Sequence, residues 1–191
     1  MKYFNGLNMG EGVAGPSTIG AATTAIYSCM GIAFVNREAL FGGLYHYPSN
    51  SMGNQHVTST IRQMFNDLKP DEIVLTPAQD ASGNGVLGSS KGDISDVRKF
   101  LEDLGGKVTI ADARSLAVLT WQNDAPVFNQ SPDNQTVVDI PAKMRVIMKS
   151  TQRELEGSIW YYGGDGETDG VLDQGLKSKN TTTPKGCCTI M

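Results

Sequence analysis

One cysteine and one histidine lie at opposite ends of a short, mostly apolar segment. Cys29 and His46 bracket the stretch CMGIAFVNREALFGGLYH. A cysteine thiolate is a strong nucleophile, and a neighbouring histidine can take up the thiol proton and later pass it on. The chemistry that this pair could perform is nucleophilic attack on a carbonyl carbon, as in the hydrolysis of an amide, a peptide or an ester.

The same segment predicts a β-hairpin that would bring the two residues together. Two apolar runs, SCMGIAFVN and LFGGLYHY, flank the short polar break REA, which is the pattern of two strands joined by a turn. Cys29 begins the first strand and His46 ends the second, so antiparallel pairing places them side by side. The alternative interpretation is that Cys29 is a small core residue and His46 a polar group at a strand end.

The rest of the chain predicts an α+β fold. We expect a strand-rich core, either a mixed sheet or a β-sandwich, with two main helices packed on one side. Apolar residues at helical spacing predict helices over 57–68 and 94–104, the second capped by Asp93, with a Gly/Ser-rich loop over 78–93 between them. STIGAATTA predicts turns. Further strand candidates are EIVLTP, KVTIADA, SLAVLTW, APVFN, TVVDIPA, MRVIMKS and SIWYYG.

Composition narrows the classes of function. The chain has 191 residues, 39% of them apolar and 19% charged, as expected for one soluble globular domain. A formal net charge of −4 and the lack of a strong basic run argue against nucleic-acid binding. We expect no metal or other cofactor, no signal peptide and no membrane span. Three cysteines, two of them adjacent, cannot form a disulfide framework and favour a reducing compartment.

The C-terminal part of the sequence predicts a lipid anchor. We expect a folded domain over 1–162 and a flexible tail over 163–191, because the tail is poor in large apolar residues. It ends in Cys188-Thr189-Ile190-Met191, a prenylation box whose final Met favours farnesyl. Cys187 could add a palmitoyl chain as the second signal that stable anchoring needs. The sequence therefore predicts a host prenyltransferase and the cytoplasmic face of a eukaryotic membrane as partners, with the protein cytosolic before lipidation.

The hairpin segment resembles the signature of the CheD family of chemoreceptor glutamine deamidases. Thr23 lies six residues before Cys29, Ser28 directly precedes the cysteine, and the two-glycine strand FGGLYH leads to His46. The downstream order of helix, strand, Gly-rich loop, helix and KVTIADAR is also similar. Bacterial toxin deamidases of the cytotoxic necrotizing factor type and Burkholderia lethal factor share this catalytic plan. The prenylation box favours that toxin-like branch, because a bacterial effector could use the lipidation enzymes of its host.

The resemblance implies a CheD-like fold and a cysteine-dependent protein-glutamine deamidase. Cys29 would be the nucleophile, His46 the proton carrier and Thr23 the residue that orients His46. Backbone N–H groups near Ser28 would stabilise the oxyanion. The substrate would be a protein bearing a reactive glutamine, such as a small GTPase, and the protein would act as a virulence effector in a eukaryotic host. Transglutamination, cysteine hydrolysis, a eukaryotic origin and a non-catalytic prenylated adaptor stay open as alternatives.

Overall fold

A computed structural model of the chain describes residues 1–83, 85–131, 136–140 and 152–163. Within these residues the chain forms two helices and twelve strands. The helices are α1 (Gln55–Leu68) and α2 (Gly88–Asp103). The strands are β1 (Lys2–Leu7), β2 (Gly12–Pro16), β3 (Ile19–Thr23), β4 (Met30–Asn36), β5 (Phe41–Tyr47), β6 (Glu72–Pro77), β7 (Val108–Ile110), β8 (Val118–Gln122), β9 (Ala125–Phe128), β10 (Thr136–Val138), β11 (Gln152–Glu156) and β12 (Ile159–Tyr162). The segment MRVIMKS, expected to be a strand, lies outside the described residues.

The strands form two mixed sheets. The larger sheet has seven strands in the order β11-β12-β2-β5-β4-β6-β7, and the smaller has five in the order β10-β1-β3-β8-β9. In the larger sheet β4 and β5 form the antiparallel hairpin expected from the sequence. The predicted α+β class, with strand-rich mixed sheets and two helices, is confirmed.

Side chains of the seven-stranded sheet alternate between two apolar cores. The inter-sheet core lies between the two sheets and includes Leu7, Ile19, Ala33, Leu44 and Trp121. The helix-side core lies under α1 and α2 and includes Ile32, Tyr45, Ile61, Leu75 and Leu101. Both helices therefore cover the same face of the larger sheet, while the smaller sheet covers the other face. This arrangement follows from the period of two along a strand, which sends successive side chains to opposite faces.

Helix α1 is amphipathic and capped at both ends. Its N-cap is Asn54, whose side-chain oxygen accepts hydrogen bonds from the backbone N–H groups of His56 (2.9 Å) and Val57 (3.4 Å). The helix ends at Lys69, which adopts the left-handed conformation with φ of 45° and donates its N–H to Phe65. Pro70 follows. The predicted helix over 57–68 is thus confirmed, with a start two residues earlier.

Helix α2 begins six residues earlier than expected. The sequence GSSKGD, predicted to belong to a loop, forms its first turns. Asp93 is consequently not a cap. It lies inside the helix, buried, and accepts hydrogen bonds from the Ser49 hydroxyl (2.8 Å) and the Asn50 N–H (3.0 Å), which belong to the loop after β5. Helix propensity over these residues is low, and tertiary contacts decide the outcome.

The first three strands were not expected from the sequence. Strands β2 and β3 are rich in Gly and Ala, which are weak strand signals, and Asn5 and Gly6 interrupt the apolar residues of β1. In β3 these small residues are all buried and allow close packing. A Cβ on Gly20 would lie 3.0 Å from the Thr120 side chain and 3.1 Å from the Tyr3 ring. Small residues are therefore required for packing at this point.

Candidate active site

The β4–β5 hairpin places Cys29 and His46 on one face of the larger sheet. His46 pairs with Gly31, and Cys29 directly precedes β4, two residues before Gly31. Residues two apart on a strand share a face, as do directly paired residues. Cys29 belongs to the inter-sheet core, and the His46 ring reaches Leu7 in the other sheet. The two residues thus occupy diagonal positions, for which Cα atoms are about 7–8 Å apart, rather than the directly opposite positions expected.

The hydrogen bonds of the His46 ring define its tautomer. Nδ1 lies 2.8 Å from the Leu7 carbonyl oxygen. Because a carbonyl oxygen can only accept, the proton is assigned to Nδ1. Nε2 then carries the lone pair, and it is buried with no hydrogen-bond partner among the described residues. The ring is therefore held with its basic nitrogen unoccupied, as a general base requires.

Burial also sets the charge of His46. The side chain is fully buried, and this burial lowers the pKa of His46 to about 4, although the hydrogen bond with Leu7 opposes the shift. The imidazole is consequently neutral at neutral pH. A neutral imidazole can accept a proton but does not by itself hold a neighbouring thiol in the ionised form.

The structure places Thr24, not Thr23, beside His46. The Thr24 hydroxyl oxygen lies 3.4 Å from His46 Nδ1 and 3.2 Å from the Leu7 carbonyl oxygen. The Thr23 hydroxyl oxygen accepts a hydrogen bond of 3.1 Å from the Ala117 N–H, and the Thr23 N–H donates to the Ala117 carbonyl. The expected contact between Thr23 and His46 is thus replaced by one from its neighbour, because both the N–H and the hydroxyl of Thr23 bond to Ala117.

Thr23 instead helps to hold Ala117 against the hairpin. A Cβ on Gly31 would lie 2.0 Å from the Ala117 Cβ, so only glycine fits opposite His46. Ala117 thereby occupies the space that a side chain at position 31 would take. The hairpin and the Ala117 backbone are therefore in close contact beside His46.

Cys29 and Ser28 are both buried, whereas the preceding Tyr27 is exposed. Cys29 is 1% exposed and Tyr27 is 59% exposed. Cys29 is also disulfide-bonded, which differs from the expectation of reduced cysteines, so its nucleophilic form is the thiol released by reduction. The lipidation candidates Cys187 and Cys188 lie outside the described residues, as does the rest of the predicted tail from 164 onward.

Two groups in the site could not be identified from residue types. The Leu7 carbonyl is a backbone group, so the side chain at position 7 gives no indication of its role. Gly31 acts by lacking a side chain, and isolated glycines in strands have many causes. Thr24 could have been considered from its position next to Thr23, since two consecutive threonines follow the small residues of β3.

A second surface feature of the described structure lies away from this pair. A surface hollow of about 470 Å³ lies along α2, lined by residues such as Lys91, Arg98 and Glu102. It lies on the helix side of the larger sheet and so does not lead to Cys29. The described residues contain no cluster of three or more His, Cys, Asp or Glu side chains that could hold a metal ion. In the same part of the chain, neither helix has the length and apolar character to cross a membrane.

No protein-family model and no curated protein matches this chain.

Proposed function

We propose that this protein is a CheD-like, cysteine-dependent protein-glutamine deamidase. The observation that carries the proposal is the state of His46, whose Nδ1 is bound to the Leu7 carbonyl while Nε2 has no partner among the described residues. Cys29 lies on the same face of the same hairpin. A thiol and an oriented, neutral imidazole are the two groups that thioester chemistry requires.

In the first half of the proposed reaction, Cys29 forms a thioester. The sulfur attacks the carbon of a glutamine side-chain carboxamide, and His46 Nε2 takes the thiol proton. The C–N bond then breaks, and His46 returns that proton to the nitrogen, which leaves as ammonia. Backbone N–H groups near Ser28 would stabilise the negative charge on the carboxamide oxygen.

Water completes the proposed reaction. His46 Nε2 takes a proton from a water molecule, which attacks the thioester carbon. The carbon–sulfur bond breaks, the thiolate recovers the proton from His46, and a glutamate side chain is released. An amine in place of water would give transglutamination, so the accepting nucleophile decides between the two activities.

A substrate protein would approach beside Tyr27. The backbone N–H of Ile26 donates a 2.7 Å hydrogen bond to the Ser115 carbonyl, which ties together the segments that carry Tyr27 and Leu116. Both side chains are exposed, at 59% and 41%, next to the buried residues of the site. Since Cys29 itself is buried, the segment around Tyr27 must move for a glutamine side chain to reach the sulfur.

The proposed tail anchor places this activity at a membrane. A prenylated Cys188 would concentrate the enzyme on the surface that its substrates share, which raises the effective concentration of each. Small GTPases carry such anchors themselves and form a natural substrate class. In this proposal the protein is an effector that acts in a eukaryotic host, where the reducing cytosol frees the Cys29 thiol.

The decisive test is an open mass-spectrometric search for deamidated proteins in cells that express the chain. We expect glutamine-containing peptides to gain about one dalton, because hydrolysis replaces the amide with an acid without breaking the chain. Cys29→Ser should abolish the deamidation, and His46→Gln should lower its rate by about 10²–10⁴-fold. His56→Gln is the matched histidine control and should leave it unchanged. Equal deamidation by the Cys29→Ser variant would refute the proposal.

The burial of the pair also favours a second candidate, a non-catalytic prenylated adaptor with Cys29 in its core. Alkylation of the reduced, folded protein separates the two, in a background where Cys187 and Cys188 are replaced by serine. The deamidase predicts labelling of Cys29 that slows in the His46→Gln variant. The adaptor predicts that Cys29 labels only after unfolding and that His46→Gln has no effect on the rate.

A further inference from the structure

The segment that runs from the last residue of β1 to the start of β2 forms three hydrogen bonds with His46. Its carbonyl at Leu7 binds His46 Nδ1 at 2.8 Å. The Gly10 N–H donates to the His46 carbonyl at 2.8 Å, and the His46 N–H donates to the Glu11 carbonyl at 2.8 Å. We call the segment from Leu7 to Glu11 the histidine clasp. Both the backbone and the ring of His46 are thus fixed by one short stretch of chain.

The clasp has the geometry of a β-bulge opposite His46. Gly10 and Glu11 together face this one residue, and Gly10 has φ of +79°. A glycine in the left-handed region at the first bulge position is the usual form of such a bulge, and bulges re-aim side chains near active sites. The strand pairing resumes at Gly12, opposite Tyr45.

The buried carboxylate of Glu11 stabilises the conformation of the clasp. The Glu11 side chain is buried. One of its oxygens accepts a hydrogen bond of 2.8 Å from the Asn8 N–H, and the other accepts one of 3.1 Å from the Tyr161 hydroxyl. Tyr161 belongs to β12, which pairs with β2. A buried carboxylate is stable only with such donors, so Glu11 links the start of the clasp to the far end of the described chain.

We propose that Glu11 is a positioning residue that fixes the Nδ1-protonated tautomer of His46. It closes the clasp through Asn8 and Tyr161, and the closed clasp presents the Leu7 carbonyl to Nδ1. Nε2 is thereby kept as the proton acceptor. The tautomer assignment rests on these contacts, whereas its catalytic consequence rests on the function proposed above.

The tautomer can be measured without any enzyme assay. The chain has two histidines, so nitrogen NMR of the reduced full-length protein resolves His46 once the His56→Gln variant has assigned the other ring. We expect a protonated-type Nδ1 signal and an unprotonated-type Nε2 signal from His46. A wild-type ring protonated mainly at Nε2 would overturn the assignment.

Two adjacent tyrosines provide a matched comparison. Tyr161→Phe removes a donor to Glu11 and should raise the share of the Nε2-protonated form about tenfold, the effect of one lost hydrogen bond. Tyr162→Phe removes a hydroxyl that binds Asp67 on α1 at 3.1 Å, on the other face of the sheet, and should leave the tautomer unchanged. Equal tautomer ratios in the two variants would contradict the proposal.

Substitutions of Glu11 complete the test. Glu11→Gln keeps an oxygen for the Asn8 N–H and can turn its NH₂ toward the tyrosine oxygen, so it should retain the wild-type tautomer. Glu11→Ala should lose it, and a folded alanine variant with the wild-type tautomer would overturn the proposal. If Glu11→Ala does not fold, the comparison between the two tyrosine variants decides alone.

Kinetic measurements distinguish a failure of the clasp proposal from a failure of the proposed deamidase function. In an active protein, Tyr161→Phe should lower kcat for deamidation with KM unchanged, since the clasp touches His46 and not the substrate. A shifted tautomer in a protein without deamidase activity would support the clasp and refute the function. Full activity and an unshifted tautomer in Tyr161→Phe would refute the clasp and support the function.

Discussion

At the residue scale, His46 is unusual because it is fully buried and neutral. Burial lowers its pKa to about 4, mainly through the loss of solvation for the charged form. The Leu7 carbonyl fixes Nδ1, so the ring has a defined orientation as well as a defined charge. These two properties give His46 a consequence for stability that can be tested separately from catalysis.

Acid should destabilise the protein through His46. Its pKa is about 4 in the folded state and about 6.5 when unfolded, so below pH 6.5 the unfolded state takes up the proton first. The free energy of unfolding should therefore fall between pH 6.5 and 4, by up to about 3 kcal/mol from this residue. Urea unfolding at several pH values measures the loss.

Two histidine variants isolate this contribution. His46→Gln should flatten the dependence of the unfolding free energy between pH 6.5 and 4, because glutamine does not titrate. His56→Gln controls for the removal of a histidine and should keep the wild-type curve. If the curves of the wild type and His46→Gln run parallel, His46 is not the group that responds.

At the scale of elements, the site depends on how closely the two sheets approach and on what holds the loop after β5. Gly31 and Ala117 meet beside His46, and an added Cβ at 31 would overlap that of Ala117. On the other side of the hairpin, the Asp93 carboxylate of α2 accepts hydrogen bonds from Ser49 and Asn50 in the turn after β5. It also accepts a hydrogen bond of 3.3 Å from the Tyr47 hydroxyl. Burial, and then the nearby Asp93 carboxylate, raise the pKa of Tyr47, which keeps that hydroxyl protonated as a donor.

Gly31→Ala should push the sheets apart. The new methyl group would lie 2.0 Å from the Ala117 Cβ, and overpacking of this kind costs about 1–3 kcal/mol of unfolding free energy. Gly53→Ala is the control, since a Cβ there meets no atom within 4 Å. Combining Gly31→Ala with Ala117→Gly should recover part of the loss. Additive losses in the double variant would show that the two positions are not in contact.

Asp93→Ala should loosen the turn that follows His46. It would leave the Asn50 N–H and the Ser49 hydroxyl without their acceptor, at a cost of about 1–3 kcal/mol of unfolding free energy. Asp96→Ala, an exposed position of the same helix, should change stability by less than about 0.5 kcal/mol. Chemical denaturation of both variants measures the difference, and equal effects would mean that the Asp93 contacts contribute little.

At the scale of the whole molecule, the proposed function combines a folded domain with a lipid anchor at the chain end. The prenylation box at Cys188 and the candidate palmitoyl site at Cys187 are sequence features outside the described residues. One prenyl chain gives only weak and reversible membrane binding. The two cysteines should therefore contribute unequally, with Cys188 modified first and Cys187 stabilising the attachment.

In eukaryotic cells, Cys188→Ser should move the protein from the membrane fraction to the cytosol. Cys187→Ser should retain the prenyl group and weaken membrane retention. Met191→Leu should change the attached lipid from farnesyl to geranylgeranyl, because the last residue directs the choice of transferase. Fractionation and intact-protein mass spectrometry measure these changes. A wild-type protein without any attached lipid would contradict the prediction.

Local sequence patterns predicted the α+β class, the hairpin, the helix over 57–68 and a position for Cys29 close to His46. Each follows from a local pattern: apolar runs around a polar break, helical spacing of apolar residues, or the two-residue period of a strand. The interrupted apolar run of β1, the small residues of β2 and β3, and the polar start of α2 lack such patterns, so those elements could not be predicted.

The groups that surround His46 could be identified only from the three-dimensional structure. Thr24 replaces Thr23 as its neighbour, the Leu7 carbonyl fixes its tautomer, and Glu11 lies in the bulge opposite it. Every residue has a backbone carbonyl, so the role of the Leu7 carbonyl cannot be recognised from residue type. Gly31 matters because it lacks a side chain, which the sequence alone does not explain. Such groups become identifiable only when the β1–β2 loop and the second sheet are brought against the hairpin, because their roles depend on distance in space and not on spacing in the chain.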